Sequence, residues 1–366
     1  MDFFQRQDNA RRRTRWLVVY FIGAIFGLAC TFYVISLPPY FHGNPESVGA
    51  FWHPELFQVV VSVILIIIAL GSLIKAIKLR KGGKAIALAM GGRALTQAAT
   101  DPDERELQNI VEEMSIASGV PMPAVYVLDR EPGINAFAAG FRPEDAVIGV
   151  TNGAMRFLTR DELQGVIAHE FSHILNGDMR LNLRLVAWLH GILWIAIVGR
   201  GLLEGARRCI PWNSEADDLK KAGLGLFFIG TGVGVIIYGL GSGGVFFGHL
   251  IKSAVARQRE FLADAAAVQF TRNPMGLANA LKKIGGLAHG SRIRSPLAEE
   301  ASHMFFGNSL RASWFGFFAT HPSLKKRIKL LDPNFDGRFP HVTFPVGLSK
   351  LPPIIAPPPM APPVIS

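Results

Sequence analysis

Two histidines four residues apart, with a glutamate beside the first, form the clearest chemical pattern in the chain: His169-Glu170-Phe171-Ser172-His173. On a helix, positions i and i+4 share one face, so both imidazoles can bind the same zinc ion. Glu170 projects beside that face, where it can take a proton from a metal-bound water whose pKa zinc lowers to about 7. The spacing predicts a hydrolytic zinc site. The alternative is a surface helix with two unrelated histidines.

A catalytic zinc ion needs a third protein ligand and an open fourth position. Met179 stands where a metzincin has its third histidine, which excludes that class and leaves a carboxylate or a distant histidine. Glu260 is the favoured carboxylate, because Asp264 lies four residues later on the same helical face and can support a ligand histidine. The alternative is that Glu260 is a surface acid paired with Arg257 or Lys252.

Short helices and strands are predicted around the motif. Thr159-Arg160-Asp161-Glu162 is a capping box that begins the motif helix, and Asn176-Gly177 ends it. An earlier helix begins within residues 100–104 and ends at Gly119. Short apolar runs bounded by turn residues predict strands at 124–128, 135–140 and 146–150. The expected fold class is mainly α with a small β-sheet, an α+β arrangement.

Four apolar runs indicate a membrane protein, as do the hydrophobic fraction of 49% and the charged fraction of 18%. Pro38-Pro39 is expected to end the first run, and the pairs Gly230…Gly234 and Gly239…Gly243 are expected to pack closely in the fourth. Basic residues flank the first two runs, which places both flanks in the cytoplasm under the positive-inside rule. The net charge of +10 follows from these flanks, so nucleic acid is not an expected partner.

The predicted organisation alternates membrane and peptidase segments. Its parts are a basic cytoplasmic N-terminus (1–15), transmembrane helices (16–37 and 56–74), the first half of a peptidase domain (85–183), two transmembrane or re-entrant helices (185–203 and 222–251), the second half of the peptidase domain (252–331) and a Pro-rich disordered tail (351–366).

Four motifs in order resemble those of the HtpX-like family of membrane zinc metallopeptidases, which are related to the CAAX prenyl proteases. The resemblance covers about residues 95–331. Its motifs are Asn135-Ala136-Phe137-Ala138, the His169–His173 pattern with Asn176 and Asp178, Glu260-Phe261-Leu262-Ala263-Asp264, and Thr320-His321-Pro322 with Arg327. It implies a gluzincin-like domain fused to about four transmembrane helices, with one Zn²⁺ per chain.

The resemblance also implies a role for each motif. Zinc is bound by His169, His173 and Glu260, and Glu170 is the general base. The strand Asn135, Ala136, Phe137, Ala138 pairs with substrate backbone by β-augmentation, and His321 stabilises the oxyanion of the intermediate. Three further residues hold the metal ligands in place without contacting the metal: Asp264, Asp178 and Arg327.

The expected protein is therefore a zinc endopeptidase, multi-pass in the bacterial inner membrane, with its active site facing the cytoplasm. Its expected substrates are polypeptides, and the resemblance implies damaged or unassembled membrane proteins. Two alternatives stay open: a specialised protease for prenylated proteins or signal processing, and a membrane scaffold with an inactive site. The sequence leaves the oligomeric state open.

Overall fold

The computed structural model describes residues 3–43, 52–79, 82–96, 100–209, 217–287, 305–306 and 321–340. The chain divides into two units. The first contains Lys81–Leu181 and Ala256–Ser366 with Met1–Arg12, and the second contains Arg13–Arg80 and Asn182–Val255. The predicted Pro-rich tail and Thr320 lie outside the described residues.

The described elements are mostly helices. In chain order they are α1 (Phe3–Gly43), α2 (Pro54–Leu79), α3 (Gly82–Ala89), β1 (Arg93–Ala94), α4 (Pro102–Ser118), β2 (Ala124–Leu128), β3 (Ala136–Ala139), β4 (Val147–Thr151), α5 (Asn152–Phe157), α6 (Arg160–Leu175), α7 (Asp178–Arg208), α8 (Asp217–Thr271), α9 (Pro274–Gly286) and α10 (Leu324–Leu331). Helices with one small sheet confirm the predicted fold class.

Local sequence explains the ends of the helices that lead to the motif. Asp101 caps α4 by accepting a hydrogen bond from the amide two residues on, and Gly119 ends that helix with a φ of 72°. At the start of α6, the Thr159 amide donates to the Glu162 carboxylate at 2.8 Å. Gly177, with a φ of 67°, turns the chain out of α6, and α7 follows directly. The motif helix is therefore fixed at both ends.

The sheet forms a layer between helices of the first unit. Its strand order is β1-β2-β4-β3, with β2 and β4 parallel and the two outer pairs antiparallel. One face carries Val127, Ile148 and Val150 in a buried cluster with residues of α4, α6 and α9. The other face packs against α3 through Ala87. Neither α3 nor β1 is predicted from the sequence, because segments of eight and two residues are too short to show a hydrophobic periodicity.

Close packing fixes α6 against α9. Gly165 lies on the face of α6 toward α9, and a Cβ there would stand 2.7 Å from the Leu277 backbone nitrogen. Carbon and nitrogen atoms that are not bonded do not approach so closely, so only glycine permits this contact. The motif helix is thereby held against α9.

The second unit consists of long apolar helices. Four helices of the described chain are long and apolar enough to cross a membrane: Val18–Leu37, Pro54–Ile77, Asp178–Arg208 and Ala222–Thr271. Their buried contacts include Phe21, Ile68 and Ile192. Many other large apolar side chains are exposed, such as Ile66 and Phe228, as expected for helices surrounded by lipid.

The first apolar run ends directly before Pro38-Pro39, where the candidate membrane span Val18–Leu37 stops. Helix α1 itself continues through both prolines to Gly43. Proline fixes φ near −65°, a helical value, but it removes a backbone hydrogen bond and its ring crowds the carbonyl four residues earlier. The two prolines therefore mark the end of the apolar span and not the end of the helix.

The expected glycine packing is correct for one pair and wrong for the other. Gly230 and Gly234 lie against α7, whereas a Cβ placed on Gly239 or Gly243 would meet no described atom of another segment within 4 Å. Gly241 packs instead, with a backbone nitrogen of α7 only 2.4 Å from the position of a Cβ. Residues seven apart, such as 234 and 241, stay on one helical face, and this period decides which glycines meet α7.

Candidate metal centre

The three predicted zinc ligands lie together. His169 and His173 project from α6 and Glu260 projects from α8, with their ligand atoms all within 4.8 Å of one another. The two histidine Nε2 atoms are 3.1 Å apart. Glu260 Oε1 lies 3.5 Å from His173 Nε2, and its Oε2 lies 3.7 Å from His169 Nε2. In a tetrahedral site with bonds of about 2.0–2.1 Å, ligand atoms lie about 3.3–3.4 Å apart. These donors therefore fit one zinc ion.

A carboxylate holds the other nitrogen of each ring. Asp264 Oδ1 lies 3.0 Å from His169 Nδ1, and Asp178 Oδ2 lies 2.7 Å from His173 Nδ1. A carboxylate accepts a hydrogen bond, so in the neutral form of each ring Nδ1 carries the proton and Nε2 keeps its lone pair. Both lone pairs then point toward the space shared with Glu260, as metal ligands require.

A buried arginine compensates the carboxylates on α8. Arg327 of α10 is only 1% exposed. Its Nε and Nη2 donate to the two oxygens of Asp264 at 2.9 and 2.7 Å, and its Nη1 lies 3.0 Å from Glu260 Oε2. Charged groups are stable in a protein interior only when they are paired. Arg327 thus keeps Glu260 and Asp264 in their ionised forms beside the histidines.

The two histidines titrate in opposite directions. Burial lowers the pKa of His169 to about 4, outweighing the hydrogen bond to Asp264. Burial also lowers the pKa of His173, but the carboxylates of Asp178 and Glu260 outweigh it and raise that pKa to about 10. Without an ion, His169 is therefore neutral at pH 7 while His173 holds an extra proton. Binding a metal must release that proton.

Glu170 is a buried carboxylate of the site that lacks a well-formed hydrogen bond. Its side chain is fully buried, the Ala138 backbone partly stabilises its charge, and neither oxygen makes a hydrogen bond of normal geometry to a described residue. Burial raises its pKa to about 8, against the opposing effect of the positive charge on His173. A buried polar group without a well-formed hydrogen bond is costly, and such costs are typical of functional sites.

The predicted substrate strand β3 lies at the edge of the sheet next to β4. Its outer edge is partly paired by the chain itself, since the Phe306 amide donates to the Ala136 carbonyl at 2.8 Å and Phe305 forms a β-bridge with Phe137. The edge at Ala136 is therefore occupied, which the sequence analysis did not anticipate. Substrate pairing along this strand stays a prediction, which cross-linking from Ala138 to a bound peptide would test.

His321 joins the site from the segment before α10. Its Nδ1 lies 3.1 Å from Glu260 Oε2, and its Nε2 has no hydrogen-bond partner within the described part of the chain. The ring is therefore placed beside the third ligand. Its role at the oxyanion stays a prediction, and an unchanged kcat in a His321→Ala variant would refute it.

Arg259 is a charged residue of the site that was not predicted. It precedes Glu260 on α8, forms an ion pair with Asp178 and donates to the Asn176 carbonyl at 2.9 Å. The only signal in the sequence is its position next to a ligand glutamate. The partners lie far away along the chain, and spacing rules describe only residues within a few turns.

Comparison with known proteins identifies the family. The family model of Peptidase family M48 matches residues 101–334, well over half of the chain. The chain belongs to peptidase family M48. It is 40% identical over 242 residues to a "Protease HtpX homolog" of Caldanaerobacter subterraneus subsp. tengcongensis, covering 65% of this chain and 76% of that one. It is 36% identical over 239 residues to a "Protease HtpX homolog" of Ligilactobacillus salivarius, covering 64% and 75%.

Among solved structures, this M48 protein is similar to S. mikatae Ste24p with a TM-score of 0.38 and 17% identity. The similarity covers 88% of this chain and 66% of that one, and at this level it adds nothing to the family assignment. The M48 match confirms the predicted resemblance to HtpX-like peptidases. With the four apolar helices, it identifies a membrane-bound metallopeptidase that acts on polypeptides.

Proposed function

We propose that this M48 protein is a zinc endopeptidase in which His169, His173 and Glu260 hold one zinc ion. The observation that carries the proposal is the convergence of their donor atoms at 3.1 to 3.7 Å beside Glu170, a buried carboxylate without a well-formed hydrogen bond to a described residue. Zinc bound there would supply a Lewis acid that polarises a carbonyl and lowers the pKa of water to about 7.

The residues around the ion would transfer the proton, stabilise the oxyanion and orient the ligands. Glu170 would accept the proton of the attacking water and return it to the leaving amine, as a general acid–base group placed beside the ligands can do. His321 offers an unpaired Nε2 as a donor to the developing oxyanion. Asp264 and Asp178 keep the histidine Nε2 atoms directed at the metal throughout.

We propose damaged or unassembled membrane proteins as the substrates. The support is the chain order of the site: Asp178 is the first residue of the apolar helix α7, and Glu260 lies on α8, which also contains the fourth apolar run. Each helix thus carries both a site residue and a membrane segment. A polypeptide leaving the bilayer would meet the zinc within a few residues of the lipid.

The proposal predicts a metal-dependent cleavage with a preference for membrane proteins. Purified wild-type protein should contain about one zinc per chain, lose cleavage on treatment with a chelator and regain it with added zinc. A destabilised membrane protein should be cleaved faster than a folded soluble one. Bound zinc without cleavage of any unfolded polypeptide would favour the scaffold, and cleavage confined to a prenylated peptide would favour the specialised protease.

We further propose that α7 and α8 both cross the cytoplasmic membrane of a bacterium, with the zinc site on the cytoplasmic side. Helix α7 has 31 residues, about 46 Å at 1.5 Å per residue, against about 30 Å of hydrocarbon. It has no internal break of the kind that a re-entrant segment needs. The basic flanks of the first two apolar runs support the orientation.

Chemical labelling of Cys209 can test this topology, because Cys209 is exposed at the end of α7. The chain has two cysteines, so a Cys30→Ala variant leaves Cys209 as its single thiol. A membrane-impermeant maleimide should label that variant in intact spheroplasts, since Cys209 would lie on the outer side. The variant with Cys209→Ser added controls for background. Labelling that appears only after lysis would mean that the two helices dip into the membrane from the cytoplasm.

A further inference from the structure

Each histidine of the candidate zinc site contacts a carboxylate through its Nδ1 atom, and that carboxylate in turn contacts an arginine. Behind His169 stand Asp264 and Arg327, at 3.0 Å and 2.7 Å in turn. Behind His173 stands Asp178, at 2.7 Å, and behind Asp178 stands Arg259. The resemblance assigned Arg327, whereas Arg259 has no assigned role.

The contacts of Arg259 are specific and largely shielded from water. Its Nε and Nη2 both contact Asp178 Oδ1, and Nη2 also donates to the Asn176 carbonyl at 2.9 Å. The side chain of Arg259 is 12% exposed and that of Asp178 is 2% exposed. At such burial the ion pair is not weakened by solvent in the way that surface pairs are. The guanidinium therefore fixes the orientation of Asp178.

We propose that Arg259 is a positioning residue for the metal ligand His173, acting through Asp178. The inference rests on the proposed zinc site. Asp178 Oδ2 lies 2.7 Å from His173 Nδ1, while the other oxygen of the same side chain contacts the guanidinium of Arg259. Arg259 therefore fixes the direction in which Asp178 faces the ring. It thereby holds the Nε2 lone pair of His173 toward the metal.

Arg259 also links the two helices that share the ion. Asn176, whose carbonyl it binds, caps the end of α6, the helix that carries both histidines. Arg259 itself stands immediately before Glu260 on α8. The hydrogen bond thus ties the end of the histidine helix to the residue beside the third ligand. The contact thus lies at the junction of the two ligand-bearing helices, where His173 Nε2 and Glu260 Oε1 are 3.5 Å apart.

The test is the zinc affinity of the purified full-length protein, measured by competition with a chromophoric chelator. Arg259→Gln should bind zinc about 10–100-fold more weakly than wild type, the usual effect of losing a group that supports a ligand. Arg259→Lys should lose less, because an ammonium pairs with Asp178 but cannot reproduce the fork of contacts. Saturating zinc should restore kcat in both variants.

A matched control and a double-mutant cycle make the result decisive. Arg180→Gln should keep wild-type affinity, since Arg180 is exposed and, among the described residues, donates only to the Phe141 carbonyl at 3.0 Å. Asp178→Asn should weaken zinc binding. Adding Arg259→Gln to it should weaken zinc binding little further, because both changes break the same chain of contacts from Arg259 through Asp178 to His173.

Three outcomes are distinguishable. Wild-type protein that binds no zinc refutes the proposed function itself. Wild-type affinity in Arg259→Gln, or effects that simply add in the double variant, refutes the role of Arg259 and leaves the function standing. If Arg259→Gln does not fold, Arg259→Lys decides: a lowered melting temperature with unchanged zinc affinity would show a structural role alone.

Discussion

Replacing Glu170 by Gln should abolish proteolysis and leave zinc bound. Gln has the size and shape of Glu but cannot accept the proton of the attacking water. General acid–base groups contribute about 10²–10⁴-fold, so kcat/KM should fall by at least about 100-fold. Glu170 does not belong to the set of converging ligand atoms, and zinc content should stay that of the wild type.

Stability should not fall either, and this separates catalysis from folding. Both oxygens of Glu170 are buried without a well-formed hydrogen bond to a described residue, so the wild type already bears the cost of a buried polar group there. A neutral amide is no more costly in that place, and the melting temperature should be equal or higher. Glu112→Gln, an exposed change on α4, controls for the loss of one negative charge. Wild-type cleavage in Glu170→Gln would remove it from the mechanism.

The parts of the fold that the sequence predicted depend on neighbouring residues. The capping box at Thr159, the stop at Gly177 and the zinc spacing of His169 and His173 each involve residues within one or two turns. Such signals are local because helix geometry alone brings the side chains together. The position and direction of the motif helix could therefore be predicted without tertiary information.

The parts that could not be predicted depend on contacts between distant segments. Phe306 pairs with Ala136 across the chain, and Arg259 reaches Asp178 from the far end of α8. The predicted boundary between the segments 222–251 and 252–331, where charged residues return, falls inside α8, which continues from the apolar run without interruption. Lysine and arginine are good helix formers. A change from apolar to charged composition therefore shows that the helix passes from lipid to water, and it does not show that the helix ends.

Replacing Glu260 by Gln should instead remove the metal. A neutral amide is a poor ligand for zinc, and two histidines alone are too few for a catalytic site. Losing a group behind a ligand already costs about 10–100-fold in affinity, so losing the ligand itself should cost more than about 100-fold. Zinc content and cleavage should fall together, whereas in Glu170→Gln only cleavage falls. Glu204→Gln, which alters an exposed glutamate paired with Arg200 on α7, is the control.

Full zinc occupancy in Glu260→Gln would contradict the assignment, and His321, 3.1 Å from Glu260, would become the next candidate ligand.

If the assignment holds, zinc content also measures the folding of the two later apolar helices. Glu260 lies on α8 after the apolar run of that helix, whereas His169 and His173 precede both α7 and α8. All three ligands can therefore meet only when α7 and α8 have folded. A mutation that disrupts the packing of those helices, such as Gly241→Leu against α7, should then lower zinc occupancy although every ligand is intact.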